Sequence, residues 1–168
     1  LLRKLQEITD RYPLTAAQIA LIVNASALND VGKISIPEEI LNKPGRLTEE
    51  EFGVVKGHVE ASIGIIKHLP SLDYVIPAVT GHHERYDGSG YPDQLVGEQI
   101  PIAAQVVGLA DAYETLTTGS GSQPPVPCAA AVQMLCTGEA GAFNPVLLDC
   151  LREIENEIDD AMRRRPET

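Results

Sequence analysis

The stretch Leu72-Asp-Tyr-Val-Ile-Pro-Ala-Val-Thr-Gly-His-His83 decides how this chain is read. Leu72, Val75, Ile76 and Val79 recur at helical spacing, so one face of a helix is apolar and points into a core. Ser71 is placed to open that helix as its cap, and Pro77 is expected to bend it. One step further along the inward face stand two histidines, a residue type that apolar packing alone does not explain.

Working outward, other segments repeat the pattern. Thr15 with Gln18 forms a capping box ahead of Ile19, Ile22, Val23 and Ala27, and the next inward position is Asp30. Thr48 with Glu51 opens a helix carrying Phe52, Val55, Val59, Ile63 and Ile66, with His58 on its buried side. Pro101 starts another through Val106, Val107, Ala110 and Tyr113, and Asp111 lies four residues beyond Val107. Asn144-Pro145 begins a C-terminal helix, 144–164, faced by Leu147, Leu151, Ile154, Ile158 and Met162. Leu1–Arg11 reads as the tail of an earlier helix. Strand-like alternation is nearly absent, so the expected fold is all-α, a single-domain helical bundle of about six to seven helices.

Composition narrows the functions available. The 168 residues are 43% apolar and 22% charged, which suits one folded domain spanning 1–168. Thirteen basic against twenty-four acidic residues give a net charge of -11, unfavourable for nucleic-acid binding. No apolar run is long enough to cross a membrane and no signal peptide is visible, so neither membrane nor nucleic acid is expected as a partner and the expected location is cytoplasmic. The chain begins at Leu1 without a methionine and is expected to be a piece of a longer one. Cys128, Cys136 and Cys150 show no CxxC spacing and read as packing residues. Asp87–Asp93 is dense in turn formers, and 119–127 reads as a flexible linker.

Two acids and three imidazoles turned toward one core need a compensating charge, and a divalent cation supplies it. Histidine and aspartate from facing helices suit iron, manganese or zinc. Each residue taken singly has a blander reading: a lone inward histidine is more often a hydrogen-bonded core residue, and Asp30 or Asp111 could cap a helix or pair with Lys33. His68, beside a helix end, and Glu49–Glu51, in a first helical turn, are given no chemistry.

Several blocks resemble a known family. Asn29-Asp-Val-Gly-Lys33, Ile34-Ser-Ile-Pro37, Ile40-Leu-Asn-Lys-Pro-Gly45 and Leu47-Thr-Glu-Glu-Glu51 are similar to the opening of an HD-GYP domain. His82-His-Glu-Arg-Tyr-Asp-Gly-Ser-Gly-Tyr-Pro92 nearly repeats that family's signature, and Ile100–Leu116 resembles its next block. The match is strongest over 15–116. The resemblance implies an HD-superfamily phosphohydrolase fold, a bacterial signalling output domain, and hydrolysis of cyclic di-GMP or a related phosphoester at a multi-metal centre. It implies Asp30 as a catalytic bridging carboxylate, His58, His82 and His83 as imidazole ligands, Asp111 as a further ligand, and Lys33 as the group approaching substrate phosphate. Iron or manganese is the first expectation for the ion. Gly88, Gly90, Tyr91 and Pro92 make a loop near the mouth, expected to be structural or to contact other signalling domains.

The copy departs from the pattern in four places. Asn29 stands where the family has the histidine of its His-Asp pair, and an amide oxygen is a weak replacement for imidazole. No counterpart to the family's upstream histidine or glutamate ligand falls between Leu1 and Asn29. The family's acidic-Arg-Pro-Tyr-Arg segment after Leu116 is replaced by Thr117–Pro127, and Glu114 replaces a usual aspartate. One metal site is therefore expected to be better formed than the other, with reduced or no turnover. Three readings stand beside one another: a weakened phosphodiesterase, an inactive nucleotide- or protein-binding module of the same fold, and a purely structural helical domain.

Overall fold

The computed structural model describes residues 1–68, 72–119 and 123–163. The helices are α1 (Leu2–Ile8), α2 (Ala16–Ala25), α3 (Glu38–Leu41), α4 (Glu49–Lys56), α5 (His58–Ile66), α6 (Leu72–Gly81), α7 (Ile102–Thr118), α8 (Cys128–Thr137), α9 (Pro145–Glu153) and α10 (Glu155–Arg163). Short 3-10 turns span Val31–Ser35 and Gly97–Gln99. The all-helical architecture expected from the periodicity is the one observed.

Local chemistry sets the helix starts. Both capping boxes form: Thr15 accepts from the Gln18 amide at 3.3 Å, and Thr48 accepts from the Glu51 amide at 3.2 Å. The Asn144 side chain caps α9 by accepting from the Val146 amide at 2.9 Å. Ser71 and the side chains of Leu72 and Met162 lie outside the described residues.

Three expectations need correction. The helix expected from Thr48 to Ile66 is two, parted at Gly57, where the amide bonds back three residues to Val54 at 3.1 Å. That tighter turn resets the face, so Phe52 is 43% exposed although Val59 and Ile66 are buried. The C-terminal helix is likewise divided at Ile154, and α8 was not expected because the preceding Gly-, Ser- and Pro-rich stretch masked its start. Finally, α2 ends at Ala25, leaving Val23, Ala27 and, on α7, Ala110 facing outward.

Helix α6 is central, packing against α2, α5 and α7. Val75, Ala78 and Val79 meet Ala103, Val106, Val107 and Leu109 in the core. A second part of that core gathers Ala131, Val132, Leu135, Leu147, Cys150 and Leu151 around α8 and α9. Cys150 is fully buried and all three cysteines are free, as packing residues should be. Pro77 falls inside α6 without ending it. Residues 123–127 return along α7, where the Val126 amide donates to Leu116 at 2.9 Å.

The approach of α7 to the end of α6 depends on Gly108, because a Cβ there would overlap the carbonyl oxygen of His82. Gly108→Val is expected to cost about 3 kcal/mol and to lower the melting temperature by roughly 6–12 °C. Thermal denaturation monitored by circular dichroism checks this; an unchanged midpoint would show that the two helices separate freely.

Candidate metal centre

Four side chains from three parts of the chain meet beneath the C-terminal end of α6. Asp30 comes from the turn before the first 3-10 segment, His58 opens α5, and His82 and His83 follow α6 directly. One donor atom from each lies within 4.8 Å of the others. Asp30 Oδ1 is 3.3 Å from His58 Nε2 and 3.8 Å from His82 Nε2, and His83 Nε2 is 3.2 Å from His58 Nε2. His58 and His82 are almost wholly buried.

The backbone orients the rings. Val55 carbonyl lies 2.6 Å from His58 Nδ1 and Val79 carbonyl 2.6 Å from His82 Nδ1. A carbonyl accepts only, so both Nδ1 atoms are assigned the proton and both Nε2 lone pairs face the centre. Helical geometry explains the repetition: each histidine reaches back three residues to a carbonyl freed at a helix end. The 29–32 segment is fastened to α5 by Ser62, whose hydroxyl accepts from the Gly32 amide at 2.8 Å and donates to the Asn29 carbonyl at 3.1 Å. Gly32 permits that contact, since a Cβ would meet the His58 carbonyl. Sequence reading passed over Ser62, yet it lies four residues past His58 and so on the same helical face.

Two buried polar atoms, Asp30 Oδ1 and His82 Nε2, have no hydrogen-bond partner. With the His82 lone pair turned inward, these two electron-rich atoms face one another at 3.8 Å with no donor between them, an arrangement that a divalent cation satisfies. The donor set, one carboxylate and three imidazoles, suits such an ion. Lys33 neutralises the outer oxygen, its Nζ lying 2.7 Å from Asp30 Oδ2, so the pairing considered as the bland alternative coexists with the cluster. Burial acts to raise the Asp30 carboxyl pKa; hydrogen bonds from His58 and His82, made whenever a proton sits on Nε2 as well, and the Lys33 ammonium outweigh it and hold the group well below the carboxylate range.

Burial also pushes the His83 imidazolium down to about 2 from an ordinary 6.5, with His82 and His58 adding to the shift. In chelator-treated protein the unfolded chain therefore protonates His83 below about 6.5 while the folded chain does not. Stability from this group is complete above that pH and declines as pH falls, by at most about 1.4 kcal/mol per unit. The depressed Asp30 acts in a lower window, below the ordinary carboxylate range. Denaturant titrations between about pH 6.5 and 5 should show the slope in wild type and a shallower one in His83→Gln; parallel behaviour of the two would rule it out.

Asp111 is not one of the four convergent donors. Its Oδ1 accepts instead from the Asn29 amide nitrogen at 3.4 Å, and Asn29 is buried. The Gly88–Pro92 loop folds over the site, with the Tyr91 ring stacked on His83 at 4.7 Å between centroids. Glu84, also passed over in the sequence, holds this loop by accepting from the amides of Asp93 at 2.7 Å and Leu95 at 3.0 Å. His68 is exposed, away from any of this.

A helical bundle that gathers one carboxylate and three imidazoles, two of them tautomer-locked, around unsatisfied atoms defines a class of protein, one suited to hold a divalent ion. The HD domain family model matches residues 3–146, and the chain belongs to that family. It is 36% identical over 146 residues to the "Cyclic di-GMP phosphodiesterase response regulator RpfG" of Xanthomonas campestris pv. campestris, which covers 86% of this chain and 39% of that protein. It is 33% identical over 159 residues to the "Cyclic di-GMP phosphodiesterase" of Thermotoga maritima, covering 94% of this chain and 43% of the relative. The "3'3'-cGAMP-specific phosphodiesterase 2" of Vibrio cholerae is 34% identical over 157 residues, 91% of this chain and 30% of the relative. The chain thus spans less than half the length of these curated relatives, and the HD-GYP resemblance read from His82–Pro92 agrees with them. Among the described residues no helix is long and apolar enough to cross a membrane.

Proposed function

We propose that this chain is a metal-dependent phosphodiesterase domain of the HD-GYP type, acting on cyclic di-GMP or a related cyclic dinucleotide, as a bacterial cytoplasmic signalling output with one well-formed metal position. The observation that carries the reading is the buried pair Asp30 Oδ1 and His82 Nε2, left without partners inside the four-donor cluster. Asp30, His58, His82 and His83 would hold the ion, with iron or manganese favoured by the mixed carboxylate and imidazole set. Bound there, a divalent ion supplies Lewis acidity to a phosphoryl oxygen and to the attacking water.

The protein's own groups do the rest. Val55 and Val79 keep the His58 and His82 lone pairs turned inward, so no ring must rotate when an ion or substrate arrives. Lys33, on the Asp30 oxygen that faces away from the imidazoles, is placed to offset charge on phosphoryl oxygens. Asp111 and Asn29 occupy each other at a second position, which supports a mononuclear centre with slow turnover.

The Asn29 amide and the absence of any basic residue from Thr117 to Pro127 favour a second reading, a non-catalytic module that binds a nucleotide or, through Gly88, Gly90, Tyr91 and Pro92, another signalling domain. Manganese- or iron-loaded protein incubated with cyclic di-GMP, 3'3'-cGAMP and bis(p-nitrophenyl) phosphate separates the two. Metal-dependent product from any of these supports the enzyme; binding of a cyclic dinucleotide with no product from any supports the module.

A further inference from the structure

A cleft of about 430 Å³ opens beside His83, lined in part by Phe52, Lys56, Arg85 and Tyr91. It shares His83 with the four-donor cluster, so a molecule reacting there extends directly into it. Neither cation in this cleft forms an ion pair with a carboxylate among the described residues, although the chain carries a net charge of -11. Lys4, Lys33, Lys43, Arg11 and Arg152 form ion pairs, whereas Lys56 and Arg85, like the exposed Arg3, Arg46 and Lys67, form none among the described residues; what sets Lys56 and Arg85 apart is that they share one cleft beside His83.

Each cation is nevertheless held in place. Lys56 Nζ sits 4.7 Å from the Phe52 ring centroid and 5.4 Å from that of Tyr91. Arg85 lies over the Phe143 ring at 5.0 Å, and its Nη1 donates to the carbonyls of Glu84 at 2.9 Å and His82 at 3.2 Å. Those contacts use one edge of the guanidinium and fix its plane, leaving its remaining N–H groups without an acceptor among the described residues. A half-buried arginine anchored by one nitrogen, next to a lysine kept from carboxylates by aromatic rings, has the form of a receptor for an oxyanion.

We propose that Lys56 and Arg85 form a binding subsite for the second, unreacting phosphodiester of a dinucleotide whose first phosphate lies at the four-donor cluster. This deepens the proposed function and rests on it for the ligand class. It also supplies, from α4 and the segment after α6, positive charge that 117–127 lacks.

Calorimetry with cyclic di-GMP and with bis(p-nitrophenyl) phosphate, on manganese-loaded and chelator-treated protein, tests the subsite. Chelator-treated wild type is expected to retain salt-dependent affinity for cyclic di-GMP, and Lys56→Gln and Arg85→Gln each to weaken it about tenfold or more, the loss of a charge-assisted hydrogen bond. Manganese content and the response to the one-phosphate probe should be unchanged in both variants. Lys56 is exposed, so its variant tests the idea even if Arg85→Gln fails to fold. Unaltered cyclic di-GMP affinity in Lys56→Gln, or no binding by chelator-treated wild type, overturns the subsite. Intact, Lys56-dependent binding with no hydrolysis by manganese-loaded protein overturns the phosphodiesterase reading alone.

Discussion

Asp30→Ala is expected to abolish metal retention and to lower phosphodiester hydrolysis by about 10³-fold, the equivalent of several kcal/mol of transition-state stabilisation. Asp30 is the only carboxylate among the four convergent donors, and it is the group that links the imidazoles of α5 and α6 to Lys33. Without it, three neutral rings surround a site with no charge to balance a dication, and Lys33 Nζ loses its partner at 2.7 Å. The folded protein should survive the change, because the Asp30–Lys33 pair that is lost is about one-third exposed and such pairs contribute little to stability. Elemental analysis and circular dichroism on the same sample are the check. A variant that keeps the wild-type metal content would mean that the ion sits elsewhere.

Asn29→His should act in the opposite direction, adding a second metal equivalent per chain and raising turnover by roughly 100-fold. In the wild-type protein the Asn29 amide satisfies Asp111 with a neutral donor, so that carboxylate needs no cation. An imidazole at position 29 offers a lone pair where the amide offers an N–H, and so recreates beside Asp111 the attraction for a dication that Asp30 already has. Metal stoichiometry and the rate on bis(p-nitrophenyl) phosphate decide this together. If wild type already binds two ions, or turns over at the variant's rate, the asparagine is no impairment.

Legibility in the sequence followed the range of the forces involved. Thr15, Thr48 and Asn144 were readable as helix starts because a cap is made with atoms two or three residues away. His58, His82 and Asp30 were readable because a polar residue continuing an apolar face must end inside. Phe52 was misplaced because the periodicity of 52, 55, 59, 63 and 66 runs unbroken through Gly57, whereas the chain tightens there and turns Phe52 outward. Lys56 and Arg85 gave no signal at all: exposed or half-buried cations are ordinary in sequence, and what distinguishes these two is that the fold brings them to one cleft beside His83.

By itself the sequence determined the helical class, the cap positions and a set of five candidate inward donors, Asp30, His58, His82, His83 and Asp111, since all of these follow from spacing along one chain. Tertiary structure alone decided that Asp30 joins the histidines while Asp111 is diverted to Asn29, 82 positions away. It also decided that Tyr91 stacks on His83 rather than standing free in its loop. The physical reason is that coordination depends on where lone pairs point, and here that is set by carbonyls at helix ends and by glycines that let backbones touch.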